Sequence, residues 1–461
     1  MTSWVPDLKA HEGPRYLAIV EALAGDVAAG VLGPGARMPT HRDLADRLGM
    51  TVGTVSRAYA EAARRGLVSG EVGRGTFVRS RSLPSLSVET RPSGFLDLSQ
   101  NHPPPEGADF RAALESTLVA LARQSDLGPL LDYPADAGNP ADREAGADWI
   151  ARTGLAATPD RVLVCAGSQH GLTAVLATLL GPGDLLLTEE LTYPGLKAVA
   201  GLLHLRLQGL TMDAHGLRPD AFEEACRNGA PRAVYTIPTI QNPTACIMPE
   251  ERRREIAAIA RAHAVPIVED DIHALLPEER PRPIAAFAPE LSYYVMSTSK
   301  TLMPGLRIAY ALVPEAMVAR LAASLRASAW SAAPLMAALA SSWIRDGTAD
   351  VIVQERRREA AARQVLVREC LPGADYAAHP CGYYAWLRLP APWRADGFAA
   401  DLKARGILVT PPEAFVVGRG PVPHAVRLCL GAPRTREELV RGLTTVGEVL
   451  RGPRETGAAI V

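Results

Sequence analysis

A stretch rich in serine and proline, SRSLPSLSVETRPSGF at residues 80–95, divides this chain of 461 residues into two parts with different patterns. The stretch has no apolar periodicity, which is typical of a linker. Before it, apolar residues recur at three- to four-residue steps, as they do on one face of an α-helix. After it, apolar strand-like runs alternate with helical ones. The chain is too long for one compact core, so we expect roughly two to four domains.

The composition is typical of a soluble globular protein and argues against several other classes. The chain is 48% hydrophobic and 21% charged, and no apolar run reaches the roughly 18–20 residues that cross a bilayer. The N-terminal residues MTSWVPDLKAHEGPR lack the apolar core of a signal peptide. The six cysteines have no metal-site spacing and are expected to be small buried side chains in a reducing cytosol. We therefore expect a cytoplasmic protein with no membrane segment and no bound metal.

Residues 1–79 are predicted to form three helices followed by two strands. Residues 14–32 have helical apolar periodicity. Thr40 is expected to cap a short second helix that ends at Gly49, and Thr51 to begin a third helix. Two strand-like runs joined by a glycine-rich turn follow, at residues 67–69 and 76–79.

This arrangement satisfies the needs of a helix-turn-helix. Such a motif requires a supporting helix, a tight turn and a second helix whose first residues meet base edges in the major groove. Arg42 lies near the start of the supporting helix. The exposed first turns of the reading helix are expected to carry Thr51, Val52, Gly53, Thr54 and Arg57. Val55 and Tyr59, four residues apart, would face inward. The alternative is a plain helical hairpin that carries solvated arginines.

The string PTHRDLADRLGMTVGTVSRAYAEAARRGLVSGEVGRGTFV resembles the winged helix of the GntR family along its whole length, including the P[ST]xRxLA start and the GxGTFV wing. The resemblance is stronger support than charge, because residues 1–80 carry only 10 basic against 8 acidic residues. It implies phosphate or base contacts from the helices and a minor-groove contact from the wing. The predicted DNA-binding residues are Arg42, Thr51, Val52, Gly53, Thr54, Arg57, Arg74 and Gly75.

From Leu96 onward, the alternation of strands and helices predicts a large α/β domain with a mostly parallel sheet. The strand-like runs are RVLVCAG, DLLLTEE, AVYTIP, VPIVEDD and YYVMSTS, and the helical ones include GLTAVLATLLG and EERRREIAAIARAHA. After about residue 330 the pattern changes to helix, strand YYAWLRL, helix and strand AVRLCLG. This change predicts a smaller α+β lobe after the large domain.

Polar residues of the large domain fall at strand ends, where they match the needs of pyridoxal 5′-phosphate (PLP). This cofactor requires an amine for its aldehyde, an anion for its ring nitrogen, a phosphate cradle and a ring platform. Lys300 follows a strand-like run and is the candidate amine, whereas Lys197, the other lysine near a motif, is expected on a helix. Asp270 ends the strand VPIVED and suits the ring nitrogen, although Glu269 and Asp271 are rivals by spacing alone.

The other candidate cofactor residues surround the phosphate and the ring. Gly167, Ser168 and Gln169 follow a strand and open a helix, where backbone amides bind phosphate. Arg307 would add a forked cation to this cradle. The set is completed by Ser297 in the cradle, Tyr193 stacked on the ring and Asn242 hydrogen-bonded to the ring hydroxyl.

In this order and spacing these residues resemble the class I/II aminotransferases of PLP fold type I, over residues 96 to about 450. The resemblance implies that Tyr133 reaches the phosphate of the partner subunit and that Arg427 forks onto a substrate carboxylate. The chain departs from the family pattern at His273, where a tyrosine usually hydrogen-bonds the ring hydroxyl. Histidine donates the same bond but ordinarily titrates near neutrality, which puts efficient transamination in question.

Taken together, the two parts resemble the MocR (GabR-like) regulators across nearly the whole chain. The resemblance implies a homodimer that binds a double-stranded DNA operator, holds PLP on Lys300 and senses PLP or an amino compound. Two other hypotheses are an active aminotransferase with an accessory DNA-binding domain, and a scaffold that has lost its cofactor. The coincidence of Lys300, Asp270 and Arg307 argues against the last. The predicted domains are a winged helix at 1–79, a linker at 80–95, an aminotransferase-like fold type I domain at 96–450 and a tail at 451–461.

Overall fold

The computed structural model describes residues 4–8, 14–29, 31–33, 36–64, 67–71, 75–78, 94–105, 107, 110–418 and 422–452. The chain forms two compact units, Met1–Ser85 and Leu86–Val461. Within the described ranges, no helix is both long enough and apolar enough to cross a membrane. No group of three or more His, Cys, Asp or Glu side chains in those ranges is placed to hold a metal ion.

The first unit contains the predicted helices and hairpin. They are α1 (Arg15–Ala28), α2 (His41–Leu48), α3 (Val52–Arg64) and the antiparallel strands β1 (Val68–Glu71) and β2 (Gly75–Val78). The Thr40 hydroxyl accepts a hydrogen bond from the Asp43 amide at 3.2 Å and caps α2 as predicted. The helix ends at Gly49, whose φ of 61° lies in the left-handed region that glycine adopts at low cost. The tight turn of a helix-turn-helix therefore follows α2 directly.

The buried face of α3 forms much of the core of the first unit. Val55 is 0% exposed and Tyr59 is 4% exposed, which confirms that this face points inward. The Tyr59 hydroxyl donates a hydrogen bond to the Pro39 carbonyl at 2.9 Å, so it ties α3 to the segment that enters α2. A pairing that the sequence did not predict extends the hairpin, because Arg37 pairs with Phe77 of β2.

The second unit alternates strands and helices as predicted. Its strands are β3 (Leu96–Leu98), β4 (Val162–Cys165), β5 (Leu185–Glu189), β6 (Arg206–Leu210), β7 (Met212–Asp213), β8 (Gly216–Leu217), β9 (Ala233–Thr236), β10 (Ile267–Asp270), β11 (Ser292–Ser297), β12 (Ala309–Leu312), β13 (Tyr376–Ala378), β14 (Tyr384–Arg388), β15 (Ile407–Val409) and β16 (Ala425–Cys429). Its helices are α4 (Phe110–Ala122), α5 (Gly128–Leu131), α6 (Pro140–Ala151), α7 (Ser168–Leu179), α8 (Pro194–Leu202), α9 (Pro219–Asn228), α10 (Glu250–Ala262), α11 (Val318–Ala329), α12 (Pro334–Asp346), α13 (Thr348–Cys370), α14 (Ala395–Ala404) and α15 (Arg436–Arg451).

A seven-stranded sheet lies at the centre of the second unit, in the order β4-β12-β11-β10-β9-β5-β6. Strand β12 runs antiparallel to both of its neighbours, and the other pairs are parallel. The sheet is therefore mostly parallel, as predicted. Every residue of β4, β9, β10 and β11 is buried, which explains why these strands are mostly apolar and do not alternate with polar residues. The carboxyl ends of the parallel strands share one edge, where ligands bind in sheets of this type.

A separate core holds the smaller lobe together. Strands β13, β14 and β16 form an antiparallel sheet, and β3 pairs in parallel with β15. Leu98 of β3 packs in the same core as Phe398 of α14 and Leu443 of α15. The small lobe thus contains the start of the second unit as well as its end. The sequence predicted this lobe after about residue 330 and did not reveal the contribution of β3, because a three-residue strand is too short to show periodicity.

Tyr59→Phe should destabilise the first unit, because the buried Pro39 carbonyl would lose its hydrogen-bond donor. We expect a loss of about 1–2 kcal/mol in the free energy of unfolding. The measurement is hydrogen exchange of the α3 amides in the full chain under mild denaturant. Tyr133→Phe, which removes an exposed hydroxyl from the second unit, is the control. Unchanged protection of α3 in Tyr59→Phe would contradict the role of this bond.

Candidate functional site

The first candidate site is the exposed start of α3. Thr51, Val52 and Gly53 are exposed, and Thr54 is half-buried. The Thr51 hydroxyl accepts a hydrogen bond from the Thr54 amide at 3.2 Å, so the helix start is capped from within. Val52 leaves a large apolar side chain 42% exposed at the surface. The first turn of α3 is therefore open to a ligand, as reading of a major groove requires.

Two predicted arginines lie on these helices with their side chains in solvent. Arg42 of α2 and Arg57 of α3 are both exposed. The Arg57 guanidinium carbon lies 4.2 Å from the ring centroid of Tyr16 in α1. This cation–π contact restricts the directions in which Arg57 can point while leaving its charge accessible. Tyr16 thus orients the arginine that the sequence assigns to DNA.

The wing brings a further arginine that the sequence analysis did not single out. Gly75 is exposed and begins β2 with a φ of 118°. A Cβ at this position would lie 3.1 Å from Nε of Arg37, so the guanidinium packs against the wing glycine. Arg37 is itself exposed, and its position depends on the unpredicted pairing with β2. Arg74, the other predicted wing contact, lies outside the described residues.

The second candidate site lies at the carboxyl edge of the large sheet. Lys300 follows β11, is half-buried, and donates a hydrogen bond from its amine to the Asn101 carbonyl. Burial, together with the charges of Arg427 and Arg307, lowers the pKa of Lys300 to about 8. An amine with this pKa is partly neutral near physiological pH and can therefore act as a nucleophile.

Strand geometry separates Asp270 from the carboxylates on either side of it. Successive side chains of a strand point to opposite faces. Burial raises the pKa of both Glu269 and Asp271, and the charge of Arg253 opposes that rise. These two carboxylates therefore lie on the face of the sheet that Arg253 occupies. Asp270 acts instead on Tyr193, whose pKa is raised first by burial and then by the Asp270 charge. Of the three acids, Asp270 is the one beside a predicted cofactor residue.

Asp270 is held in a state that favours a positively charged partner. Burial raises its pKa to about 7, against the hydrogen bond from Tyr235. The Tyr235 hydroxyl donates to Oδ2 at 2.6 Å, whereas Oδ1 has no partner within the described part of the chain. A buried acceptor without a donor is costly. A protonated ring nitrogen would supply both the donor and the opposite charge.

The start of α7 and one arginine lie together where the sequence predicts the phosphate cradle. The helix begins at Ser168, directly after Gly167 with a φ of 85°. No side chain of the described residues caps this helix, so its first amides remain available to an anion. A Cβ at Gly167 would collide with Nη2 of Arg307. The guanidinium therefore lies against the helix start. Residue 167 must be glycine both because a Cβ would clash with Arg307 and because its φ is positive.

Three further predicted residues surround this cradle. Nε2 of Gln169 donates to the Gly195 carbonyl at 3.0 Å, and its Oε1 has no described partner. Tyr193 precedes α8, and its ring lies directly over Gly195. The Ser297 hydroxyl donates to the Ser299 hydroxyl at 3.0 Å and accepts the Ser299 amide at 3.1 Å. Ser297 is thus engaged in ordering the loop that carries the lysine.

Arg427 is a buried guanidinium with one donor to spare. It lies in β16 and is 6% exposed. Nη1 donates to Oδ1 of Asn242 at 2.8 Å and Nη2 to the Ser99 carbonyl at 2.7 Å. Its carbon lies 4.8 Å from the ring centroid of Phe415, and its Nε has no partner among the described residues. A buried cation with a free donor is suited to a carboxylate.

His273 is a neutral residue in this structure. It is 0% exposed and lies beside Tyr383 and Tyr384, with ring centroids 6.4 and 5.9 Å away. Burial lowers the pKa of His273 to about 3, and the charges of Lys300 and Arg427 contribute. The expectation that it titrates near neutrality was therefore wrong, because the charged ring would be desolvated. Neither ring nitrogen has a partner of hydrogen-bonding geometry in the described ranges.

Tyr133 stands apart from the other predicted residues. It is 76% exposed, and its ring centroid lies 5.4 Å from that of Trp330, which is 46% exposed. No contact joins it to the cradle of its own chain among the hydrogen bonds and ring contacts between described residues. Its assignment to a partner subunit stays a prediction.

Sequence reasoning missed three groups at the second site. Tyr235 lies in the predicted strand AVYTIP, but its bond to Asp270 depends on the pairing of β9 with β10. The carbonyls of Ser99 and Asn101 bind Arg427 and Lys300. Backbone acceptors have no residue-type signature, so only the folded chain reveals them.

The two units match two different protein families. The family described as Aminotransferase class I and II matches residues 93–446, and the family of bacterial regulatory proteins named gntR matches residues 15–78. The uncharacterised helix-turn-helix-type transcriptional regulator YdeF of Bacillus subtilis is 32% identical over 451 residues, 97% of each chain. The vitamin B6 salvage pathway transcriptional repressor PtsJ of Salmonella typhimurium is 28% identical over 429 residues, 91% of this chain and 95% of that one.

Among solved structures, LysN, the α-aminoadipate aminotransferase of Thermus thermophilus, superposes with a TM-score of 0.70 at 25% identity, covering 78% of this chain and 92% of that one. The fold and the matched families define a class of regulator with a GntR winged helix and a fold type I aminotransferase domain, as predicted. The chain belongs to this MocR-like family of DNA-binding transcriptional regulators.

Asp270→Asn should stabilise the ligand-free second unit, and more at pH 8 than at pH 5. The pKa of Asp270 is about 7 in the folded chain and about 3.9 when unfolded. Between these values only the unfolded chain releases the proton, so the contribution of Asp270 to stability falls as the pH rises and is lost above pH 7. Asparagine avoids this cost, which is on the order of 4 kcal/mol at pH 8, because the two pKa values differ by about three units at about 1.4 kcal/mol per unit.

The measurement is thermal unfolding of ligand-free protein at both pH values. Asp401→Asn, which changes an exposed acid of α14, is the matched control and should show no such pH dependence. If Asp270→Asn is less stable than the wild type at pH 8, burial is not the source of the raised pKa.

Proposed function

We propose that this regulator holds PLP on Lys300 and binds a double-stranded DNA operator through its first unit, with an affinity that depends on occupancy of the second. The observation that carries the proposal is the convergence of Lys300, Asp270 and Arg307 at one sheet edge. The charge of Arg307 contributes to the lowered pKa of Lys300, and the same guanidinium packs on the start of α7. Amine, ring partner and phosphate cradle are thus neighbours.

The unpartnered buried atoms fit the same cofactor. Oδ1 of Asp270, Oε1 of Gln169 and both ring nitrogens of His273 have no hydrogen-bond partner in the described chain. Asp270 would hold the protonated ring nitrogen, and neutral His273 would hydrogen-bond the ring hydroxyl. The remaining residues that we assign to the cofactor are Ser168, Gln169, Ser297 and Arg307 at the phosphate, Tyr193 and Asn242 at the ring, and Tyr133 from the partner subunit.

The chain's own groups suit amine exchange. When bound, PLP supplies an aldehyde and an electron sink. Lys300 provides an amine that is substantially neutral near its pKa of about 8. His273, with a pKa of about 3, keeps a single ring proton throughout the physiological range and orients without carrying charge. With a pKa of about 7, Asp270 is only partly ionised at neutral pH unless a cation lies beside it. Its charge therefore depends on whether the site holds the cofactor.

The effector that we propose is either the cofactor itself or an amino compound with a carboxylate. Arg427, 6% exposed with an unpaired Nε, would receive that carboxylate. The name of PtsJ, a repressor of vitamin B6 salvage, supports PLP as the signal. An amino compound would instead exchange onto the site beside Lys300. Both forms of the proposal place the sensing step at the same residues, in the cytoplasm where operator DNA is accessible.

We infer that the regulator acts as a homodimer. Leu131 and Tyr133 are 80% and 76% exposed, and the adjoining Trp330 is 46% exposed. Exposed large apolar side chains of this kind favour burial by a partner, and a second copy would cover them while bringing Tyr133 to the neighbouring site. A dimer would read two operator half-sites.

An active aminotransferase is the second candidate, because residues that hold the cofactor and exchange amines also begin transamination. The observation in its favour is the lowered pKa of Lys300, about 8, which suits a proton-transferring amine. Rapid multiple-turnover conversion of an amino donor and a keto acid would favour the enzyme. A single-turnover exchange that changes DNA affinity would favour the regulator.

Lys300→Ala should abolish the visible absorbance that PLP acquires on binding an amine. Lys197→Ala is the matched control, because Lys197 is the other lysine near a motif and its amine donates to the carbonyls of Glu413 and Ala414. We expect the control to keep the wild-type spectrum. A wild-type protein that stays colourless with excess PLP, or a coloured Lys300→Ala protein, would contradict the proposal.

Arg57→Ala should weaken operator binding by about tenfold and reduce its salt dependence by about one ion, while leaving the bound-cofactor spectrum unchanged. The measurement is fluorescence anisotropy with DNA from the upstream intergenic region at several salt concentrations. Arg15→Ala, an exposed arginine of α1 outside the reading helix, is the control. Full affinity in Arg57→Ala would exclude α3 as the reading helix.

A further inference from the structure

The segment 99–105, which we call the strap, connects the two ligand-facing cations of the second site. It follows β3 directly, and β3 itself follows the stretch at 80–95 that leads from the DNA-binding unit. Along the chain the order is therefore linker, β3 and strap. Its backbone carbonyls, rather than its side chains, accept the hydrogen bonds from Lys300 and Arg427.

The first end of the strap is bound to the small lobe. The Ser99 carbonyl accepts hydrogen bonds from Nη2 of Arg427 at 2.7 Å and from the Thr410 hydroxyl at 2.8 Å, and the Cys429 thiol lies at 3.3 Å. The amide and hydroxyl of Ser99 both donate to Oδ1 of Asp97, at 2.7 and 2.6 Å. Ser99 thus has a fixed orientation toward Arg427.

The rest of the strap is bound to the large lobe. The Asn101 carbonyl accepts from the Lys300 amine, and the Pro104 carbonyl accepts from Nη1 of Arg356. Nη2 of Arg356 donates to the Leu302 carbonyl at 2.9 Å, in the loop that carries Lys300. Oδ1 of Asn101 is buried with no described partner. The strap therefore contacts both lobes beside Lys300 and Arg427.

The strap offers only neutral carbonyl oxygens to Lys300 and Arg427, whereas a ligand carboxylate would offer a negative charge. Neither Lys300 nor Arg427 is in an ion pair with a described residue. In the bonds to these carbonyls only the donor is charged, whereas a carboxylate would add the opposite charge and can bind a guanidinium through two parallel bonds. The carbonyls of Asn101 and Ser99 are thus weaker partners than the ligand groups that would replace them.

Ligand and strap compete for the same hydrogens. A carboxylate binds a guanidinium through a fork, and both forks of Arg427 include Nη2. That nitrogen already donates to the Ser99 carbonyl at 2.7 Å and to the Thr410 hydroxyl at 3.3 Å. At Lys300, covalent capture of the amine by an aldehyde removes hydrogens that the Asn101 carbonyl shares. Filling the site by either route therefore breaks strap contacts.

We propose that the strap is the occupancy sensor of this regulator. Binding of a ligand to Lys300 or Arg427 releases the carbonyls of Asn101 and Ser99. The released strap then holds β3 less firmly, and β3 is the element that directly follows the linker from the DNA-binding unit. The proposal rests on the proposed function, since it assumes that the ligand occupies the Lys300 site. It adds the part of the chain through which occupancy alters DNA affinity.

Gly431 offers a direct way to displace the strap without touching either cation. A Cβ at Gly431 would collide with the backbone carbonyl of His102. Gly431→Ala should therefore push the strap away in the absence of ligand. Gly397→Ala in α14, where a Cβ meets nothing within 4 Å, is the matched control. Thr410→Val is a second variant should Gly431→Ala fold poorly. It removes one donor to the Ser99 carbonyl and the longer of the two Nη2 contacts of Arg427, and we expect it to loosen the strap in the same direction.

The test combines hydrogen exchange with absorbance in the full chain. Without ligand, the Ser99 and His102 amides are hydrogen-bonded within the strap region. PLP alone should speed their exchange about fivefold in the wild type, as loss of about 1 kcal/mol of protection implies. Gly431→Ala should show the fast exchange before PLP is added, and Gly397→Ala should behave as the wild type.

DNA binding supplies the second readout. Ligand-free Gly431→Ala should shift operator affinity in the direction that PLP shifts the wild type, by about fivefold or more, and Gly397→Ala should not. Absorbance without faster strap exchange would overturn the strap proposal and leave the cofactor site standing. Absence of absorbance would overturn the proposed function instead. Equal operator affinities of the two glycine variants would also overturn the role of the strap.

Discussion

Desolvation of ionisable groups at the carboxyl edge of the large sheet is the constraint on which the second site depends. The pKa of Asp270 rises to about 7, that of Lys300 falls to about 8 and that of His273 falls to about 3. Water would remove each of these shifts. The fold keeps these groups dry because β10 and β11 are buried along their whole length and end beside one another. The resulting cost is what a charged ligand would relieve.

Much of this arrangement could be predicted from the sequence, because local pattern determines it. Thr40 and Gly49 mark the ends of α2, and apolar runs gave the central strands, with Lys300 and Asp270 at their ends. Spacing alone left Glu269 and Asp271 as rivals of Asp270. Successive side chains of β10 point to opposite faces, so Asp270 faces away from Glu269 and Asp271. The sequence could not show which face carries the site, because that depends on where Arg253 and Tyr193 lie.

What escaped prediction depends on contacts distant in sequence. The neutrality of His273 follows from complete burial and from cations more than twenty residues away in the chain. Tyr235 reaches Asp270 because β9 and β10 are paired. The strap contacts use backbone carbonyls, which every residue possesses. The small-lobe strand β3 is too short for periodicity, yet its position places the end of the linker beside the residues that bind the cations.

The GntR winged helix and the aminotransferase-like domain share one chain, so a ligand that we propose for the second unit can be coupled to DNA binding by the first. Thermodynamic linkage requires that a ligand which alters DNA affinity has its own affinity altered by DNA to the same extent. Under our proposal the strap is a physical route for such coupling, because a ligand would replace its carbonyls as partners of Lys300 and Arg427.

The most direct test of the central claim is operator affinity with and without PLP, in the wild type and in Lys300→Ala. Coupling through the lysine predicts a change of about fivefold or more in the wild type and no response to PLP in Lys300→Ala. An operator affinity that is the same with and without PLP in the wild type, or an equal response in both proteins, would contradict the account.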